Sequence, residues 1–297
     1  MIGKKMAPPG AARTSKGDRD FGARPDVRRP GPGGAKQRGD ARPGPREAEP
    51  PAPRREPKAA DIVEIYGFHS VSAALGANRR KLVRLYATQA AAERLAEAIT
   101  RRGVETHILT GEEISRRAPR EAVHQGLLLE ARRLEAIDIS ELAGRGIVLV
   151  LDQVTDPHNV GAILRTAAAY GVEGLVTTER HSPELSGALA KSASGGLEHV
   201  PICAVVNLAR AMGELKALGY LVVGLDSEAQ TTLDRAPLTR PLAIVLGAEG
   251  KGLRRLTREN CDLLAKLDMP GAIQSLNVSN ACAVALALCH ARLGAPA

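Results

Sequence analysis

The sequence predicts an α/β protein built on a mostly parallel sheet, preceded by a smaller α/β unit and a charged leading segment. Three observations predict this. From Gly146 onward, short continuous apolar runs alternate with stretches of helical periodicity, the pattern of parallel strands covered by helices on both faces. Residues 1–60 hold 15 Lys and Arg against 7 Asp and Glu, with 11 of the 19 prolines and 9 of the 30 glycines. Such a segment has too little apolar surface to offset the entropy of ordering it. Finally, 2 Phe, 4 Tyr and no Trp leave the core to Leu, Val, Ile and Ala. The expected organisation is a disordered basic tail over 1–60, a small α/β domain over 61–134, a linker over 135–145 and the larger domain over 146–297.

Taken in order, the small domain starts near Asp61 with the apolar stretch Ile62–Gly67. Val71, Ala74 and Leu75 then recur at helical spacing. Leu82–Tyr86 alternates as a strand does, and Ala90–Thr100 favours a helix that Gly103 would stop. Thr106–Leu109 and Gly126–Glu130 are short strand candidates. In the larger domain, Ile147–Leu151 reads as a buried strand followed by a helix from about Asn159 to Tyr170. Strands at Gly174–Thr177, Val200–Ala204, Tyr220–Leu225, Leu242–Leu246 and Leu263–Leu267 continue the series, with helices near Pro183–Ser192 and at Leu208–Leu218. A nearly all-apolar helix, Asn277–Leu293, follows.

Several classes are disfavoured. No apolar run reaches the roughly 18 residues of a membrane span, and the N-terminus has no secretory apolar core. Cys203, Cys261, Cys282 and Cys289 are spaced 58, 21 and 7 apart, which fits neither a zinc knuckle nor a disulfide framework. The expectation is a cytoplasmic protein without membrane or metal. The basic tail fits either a polyanionic partner or a solubilising role.

Ligands of such sheets bind beyond the carboxyl ends of the strands, so the loops after Leu151, Leu246 and Leu267 carry the candidate chemistry. In the first, Asp156-Pro157 turns the chain and Asn159 is placed to cap the helix. Arg165 lies roughly 130° from the centre of the Val160, Ile163, Leu164, Ala167 and Ala168 stripe, so it faces away from the sheet. Gly161, one turn earlier, leaves room beside it. A solvated arginine and a functional one are both compatible with this pattern. The second loop, Gly247-Ala248-Glu249-Gly250-Lys251-Gly252, is neither a Walker A sequence nor G-x-G-x-x-G, and Glu249 at its centre opposes phosphate. The third places Ser275, Asn277 and Ser279 at a helix start, with Ser279 as the expected cap.

Together, Asn159-x-Gly161…Arg165, Val245-Leu246-Gly247-x-Glu249-Gly250-x-Gly252 and Ser275-Leu276-Asn277-Val278-Ser279 resemble the three motifs of the SpoU (TrmH-type) RNA ribose 2′-O-methyltransferases of the SPOUT class. Ile65-Tyr66-Gly67-Phe68-His69-Ser70-Val71 and His124-Gln125-Gly126 are similar to the bounds of the first domain in bacterial enzymes that methylate a guanosine of large-subunit (23S) rRNA. The resemblance covers about Asp61–Leu293. One departure is that the family's third motif usually opens Ile-Pro-Met, where this chain has Leu267-Asp268-Met269.

The resemblance implies S-adenosyl-L-methionine as methyl donor, RNA as substrate, a C-terminal trefoil knot and a homodimer with each site near the interface. It also implies that Gly247, Glu249, Gly252, Leu267, Met269 and Leu276 surround the cofactor, with Arg165 as the catalytic arginine. Asn159, Glu249, Ser275 and Asn277 would orient Arg165 and the ribose. A guanidinium with a pKa above about 12 favours binding the adjacent phosphate and stabilising alkoxide character over abstracting a proton. The alternatives are the same chemistry on transfer RNA, a non-catalytic rRNA-binding or ribosome-assembly protein, and a nucleotide-dependent enzyme.

Overall fold

A computed structural model describes residues 61–120, 122–181, 189 and 192–294. The expected disordered tail, residues 1–60, lies outside the described residues, as does most of the helix expected near Pro183–Ser192.

The first unit holds a four-stranded sheet in the order β1-β4-β2-β3, made of β1 (Ile62–Tyr66), β2 (Leu82–Ala87), β3 (Glu105–Ile108) and β4 (Leu127–Arg132). β4 runs antiparallel to both neighbours, and β2 and β3 run parallel. Because side chains alternate along a strand, Ile65, Leu85, Leu127 and Leu129 share one face. There they meet α1 (Phe68–Gly76), α2 (Gln89–Arg94) and α3 (Ala96–Arg102) through Val71, Leu75 and Leu95. Leu95, at φ −112°, splits the single helix expected here into two, and Gly103 ends the second in a left-handed cap at φ +58°. On the other face, Ile114 of α4 (Gly111–Arg117) covers Tyr66, Tyr86 and Leu128. The periodicity did not reveal α4, yet its capping box was legible: Glu113 N–H donates to Thr110 Oγ1, and Thr110 N–H donates to the Glu113 carboxylate. The expected linker is itself packed, with Ile139 and Leu142 buried against the larger sheet.

In the larger unit, seven strands run parallel in the order β7-β6-β5-β10-β8-β11-β9. They are β5 (Ile147–Asp152), β6 (Gly174–Thr178), β7 (Ile202–Val205), β8 (Leu221–Leu225), β9 (Thr231–Thr232), β10 (Leu242–Gly247) and β11 (Leu263–Lys266). Continuous apolar runs were the right signal, because both faces are covered. Ile147, Leu149 and Leu151 point to α5 (Pro157–Ala169) and α8 (Val278–Leu293), while Val148 and Val150 point to α6 (Leu208–Ala217); the short α7 (Arg255–Glu259) connects β10 to β11. β10 repeats this alternation and lies between β5 and β8, although it follows both in sequence. From β5 the chain builds outward through β6 and β7 on one side, while β10, β8 and β11 lie on the other. The carboxyl ends of β5 and β10 therefore border the switch in strand order, the place where such sheets bind ligands.

Two caps differ from expectation. α5 is capped by Asp156, whose carboxylate accepts from His158 N–H, with Pro157 in the first helical position. Asn159 thus sits inside the helix, and its side chain is free for other work. α8 is capped by Asn277, which accepts from Ser279 N–H, so Ser279 is donor rather than cap. The room expected beside Gly161 is also taken, since a Cβ there would lie 2.4 Å from Ser192 Cβ. All four cysteines are free thiols, and burial pushes Cys203 and Cys282 up to about 12.

Candidate active site

The site is built at the ends of three strands. β5 ends on Asp152, whose buried carboxylate accepts from Arg254 N–H at 2.9 Å and Arg254 Nε at 2.6 Å. This ties the exit of the glycine-rich loop to the end of β5. Inside that loop, Gly252 N–H donates to Ala248 O, and Gly250 and Gly252 adopt φ of +76° and +63°. A Cβ on Gly247 would lie 2.2–2.5 Å from the main chain of Gly252 and Leu253, so the closed loop admits glycine alone there. In the third loop, the Gln274 side chain donates to Met269 O and Gly271 O and holds the Pro270-Gly271 turn.

Asn277 joins the three loops. Its Oδ1 accepts from the N–H and hydroxyl of Ser279, at 2.9 and 2.6 Å, which fixes the amide so that Nδ2 points the other way. Nδ2 donates to Asn159 Oδ1 at 3.0 Å and Glu249 Oε2 at 3.3 Å. Residues 118 positions apart thus meet in one junction.

Two cavities flank it. One, of about 200 Å3, is lined by Leu246, Gly247, Gly252, Leu267, Met269 and Leu276. Its walls combine apolar side chains with main chain from two loops, the lining that suits a flat heteroaromatic group with polar edges. The other, of about 430 Å3, is more polar and is lined by Gln153, Thr155, Asp156, Asn159 and Lys251. Ala248, Glu249 and Val278 line both cavities. The negative charge of Glu249 therefore stands where the contents of the two would meet.

Of the residues expected from sequence, Asn159, Glu249 and Asn277 converge on this junction. Ser275 lines the smaller cavity without joining their hydrogen bonds, and all six expected cofactor contacts line that cavity. Arg165 does not join them within one chain. It lies six residues beyond Asn159, about 9 Å along the axis and a third of a turn away. It is exposed, has no hydrogen-bond or ion-pair partner among the described residues, and lines neither cavity. The sequence reading missed the Asp152–Arg254 tie and the polar lining from Gln153, Thr155 and Lys251. No spacing rule marks such pairs. Among the described residues, no group of His, Cys, Asp and Glu is arranged to hold a metal ion, and no helix is long and apolar enough to cross a membrane.

Residues 146–287 match the family model described as the SpoU rRNA methylase family, and residues 65–136 match RNA 2′-O ribose methyltransferase substrate binding. The chain is 38% identical over 236 residues to the 23S rRNA (guanosine-2′-O-)-methyltransferase RlmB of Pseudomonas putida, covering 76% of this chain and 95% of that protein. The protein of the same name from Pasteurella multocida is 40% identical over 233 residues, covering 75% and 95%. Among solved structures, the SpoU methyltransferase AviRb from Streptomyces viridochromogenes, in complex with AdoMet, aligns with a TM-score of 0.65. It shares 21% identity and covers 77% of this chain and 89% of that one, a likeness of fold.

Proposed function

The chain belongs to the SpoU rRNA methylase family, and on that premise we propose that it methylates the ribose 2′-hydroxyl of a guanosine in 23S rRNA, using S-adenosyl-L-methionine. The observation that carries this reading is the Asn277 junction, which holds Asn159 and Glu249 where the two cavities share a wall.

In this reading the smaller cavity holds the methyl donor and the polar one the target nucleotide. S-adenosyl-L-methionine supplies an electrophilic methyl group on a sulfonium cation. Main-chain groups of Gly247, Leu267, Met269 and Leu276 would hold the donor, and the Glu249 carboxylate would offset its positive charge. Asn277, itself held by Asn159 and Ser279, fixes the Glu249 carboxylate, so this charge needs no reorganisation during the reaction. Ser275 and Asn159 orient the ribose hydroxyl, and alignment of oxygen with methyl supplies much of the rate. Arg165, exposed and without a partner among the described residues, binds the phosphate next to the target ribose and stabilises alkoxide character as the hydroxyl loses its proton to water.

A homodimer completes the site, with Arg165 near the interface. The exposed apolar side chains Ile273, Leu276 and Val284, on and just before α8, support that contact. The C-terminal trefoil knot and a cytoplasmic location are part of the same proposal. Insertion of β10 between β5 and β8 supports a non-sequential path for the last third of the chain. The substrate-binding match over residues 65–136 favours structured rRNA over transfer RNA, and the intact three-loop junction disfavours a non-catalytic assembly factor.

The test is to incubate the purified protein with labelled S-adenosyl-L-methionine and, separately, deproteinised 23S rRNA and transfer RNA, then map ribose methylation. Label on a 23S guanosine 2′-oxygen is expected. Label confined to transfer RNA, or absent from ribose, overturns the reading.

A further inference from the structure

The face where the two folded units meet touches the helix that carries Arg165. Arg80, which opens the approach to β2, reaches Glu198 in the 3-10 turn Gly196–Glu198. The pair is bidentate, with Nη2 to Oε1 at 2.6 Å and Nε to Oε2 at 3.0 Å. Both side chains are buried, at 4% and 2% exposure. Arg80 Nη1 also donates to Arg132 O, and Arg79 Nη1 donates to Leu197 O at 3.1 Å. Charges buried this completely are costly to leave unpaired, so the two units are held in one orientation.

The preceding dipeptide transmits that orientation. A Cβ on Gly195, at φ +91°, would lie 2.4 Å from Ala73 Cβ of α1 and 3.3 Å from His69 O. A Cβ on Gly196 would lie 2.6 Å from Leu164 O and 2.9 Å from Arg165 N. One glycine presses on the first unit and the next on the main chain of Arg165, with no side chain between. Close-packed contacts of this kind transmit displacement rather than absorbing it.

We propose that Arg80 and Glu198 are positioning residues: through Gly195-Gly196 they clamp the RNA-binding unit against Leu164–Arg165, so that RNA held by one unit meets Arg165 at a fixed offset. The inference rests on the function proposed above for its consequence in catalysis, but the clamp itself is measurable without catalysis.

The experiment uses the full chain and two variants. Arg80→Ala leaves Glu198 buried without its partner and opens the interface. Gly196→Ala keeps the ion pair but pushes the Arg165 main chain. Spin labels at Glu97→Cys and Arg210→Cys report the distance between units. Rates on 23S rRNA are expressed per S-adenosyl-L-methionine binding site, so that unfolded protein does not count. Both variants are expected to keep donor affinity within twofold and to lose about ten- to a hundredfold in kcat. Only Arg80→Ala should broaden the distance distribution. A folded Arg80→Ala variant with wild-type kcat, or with an unbroadened distribution, overturns the clamp. Should Arg80→Ala fail to fold, Gly196→Ala decides, and a kcat within twofold of wild type overturns it. If the wild type itself transfers no methyl group, the functional reading fails separately, and the distance measurement still tests the clamp.

Discussion

Replacing Asn277 by Asp separates two jobs that one side chain performs. The Asp carboxylate can still accept from Ser279 N–H and cap α8, and its charge at the helix start is favourable by about 0.3–1 kcal/mol. It cannot donate to Asn159 or Glu249, and it places a second carboxylate roughly 3.3 Å from Glu249 Oε2. In this partly exposed setting the neutral bond to Asn159 contributes about 1 kcal/mol and the charge-assisted bond to Glu249 about 1.5 kcal/mol. At 1.36 kcal/mol per decade, full expression of that loss in the transition state lowers kcat about 70-fold. Asn277→Ala loses the same bonds and, in addition, about 1 kcal/mol of capping. Initial rates of labelled methyl transfer, thermal unfolding and calorimetric donor binding should therefore show a stable but slow Asp variant and a slow, less stable Ala variant. An Asp variant with kcat within twofold of wild type would refute the role of the three-loop junction.

Other side chains carry expectations of their own. Arg165→Ala should abolish methyl transfer while leaving the proposed dimer and donor affinity largely intact, and wild-type-like turnover would remove Arg165 from the reaction. Gly247→Ala forces a Cβ into the main chain of Gly252 and Leu253, so calorimetry should show donor affinity reduced at least tenfold. Burial raises the Glu173 carboxyl, but N–H donors of Gly146, Gly144 and Arg145 and the nearby Tyr220 hydroxyl outweigh this and hold its pKa below 4.5. Its stabilisation is therefore complete at neutral pH and lost as pH falls through the depressed value. Glu173→Gln should cost about 1.5–3 kcal/mol in denaturant titrations at pH 7, and the gap to wild type should shrink below about pH 4. Deleting residues 1–60 should weaken RNA binding and flatten its salt dependence without changing kcat, whereas an unchanged salt slope would assign the segment a solubilising role.

The larger sheet was legible because strands buried on both faces must be continuously apolar, as Ile147–Leu151 and Leu242–Leu246 are. The loops were legible because strand ends are where such sheets bind ligands, and Asn159, Glu249 and Asn277 stood in them. What sequence did not give is pairing at a distance. Asn159 was read as a cap because Asn favours helix starts, but Asp156 three residues earlier, followed by Pro157, does that work better. Ser279 lost the same competition to Asn277. Arg80 and Glu198 carry no mark of burial, since each reads as an ordinary surface charge until the fold brings them together across 118 positions.

The place of β10 also governs how the molecule comes apart. Without it the larger sheet is two trios, β7-β6-β5 and β8-β11-β9, that share no main-chain hydrogen bonds among the described residues. That strand is the keystone, and both cavities open beside the loop that ends it. A small molecule seated there grips the joint between the halves, so at a hundred times its dissociation constant the roughly 2.7 kcal/mol it contributes resists separation of the whole sheet rather than fraying of one loop.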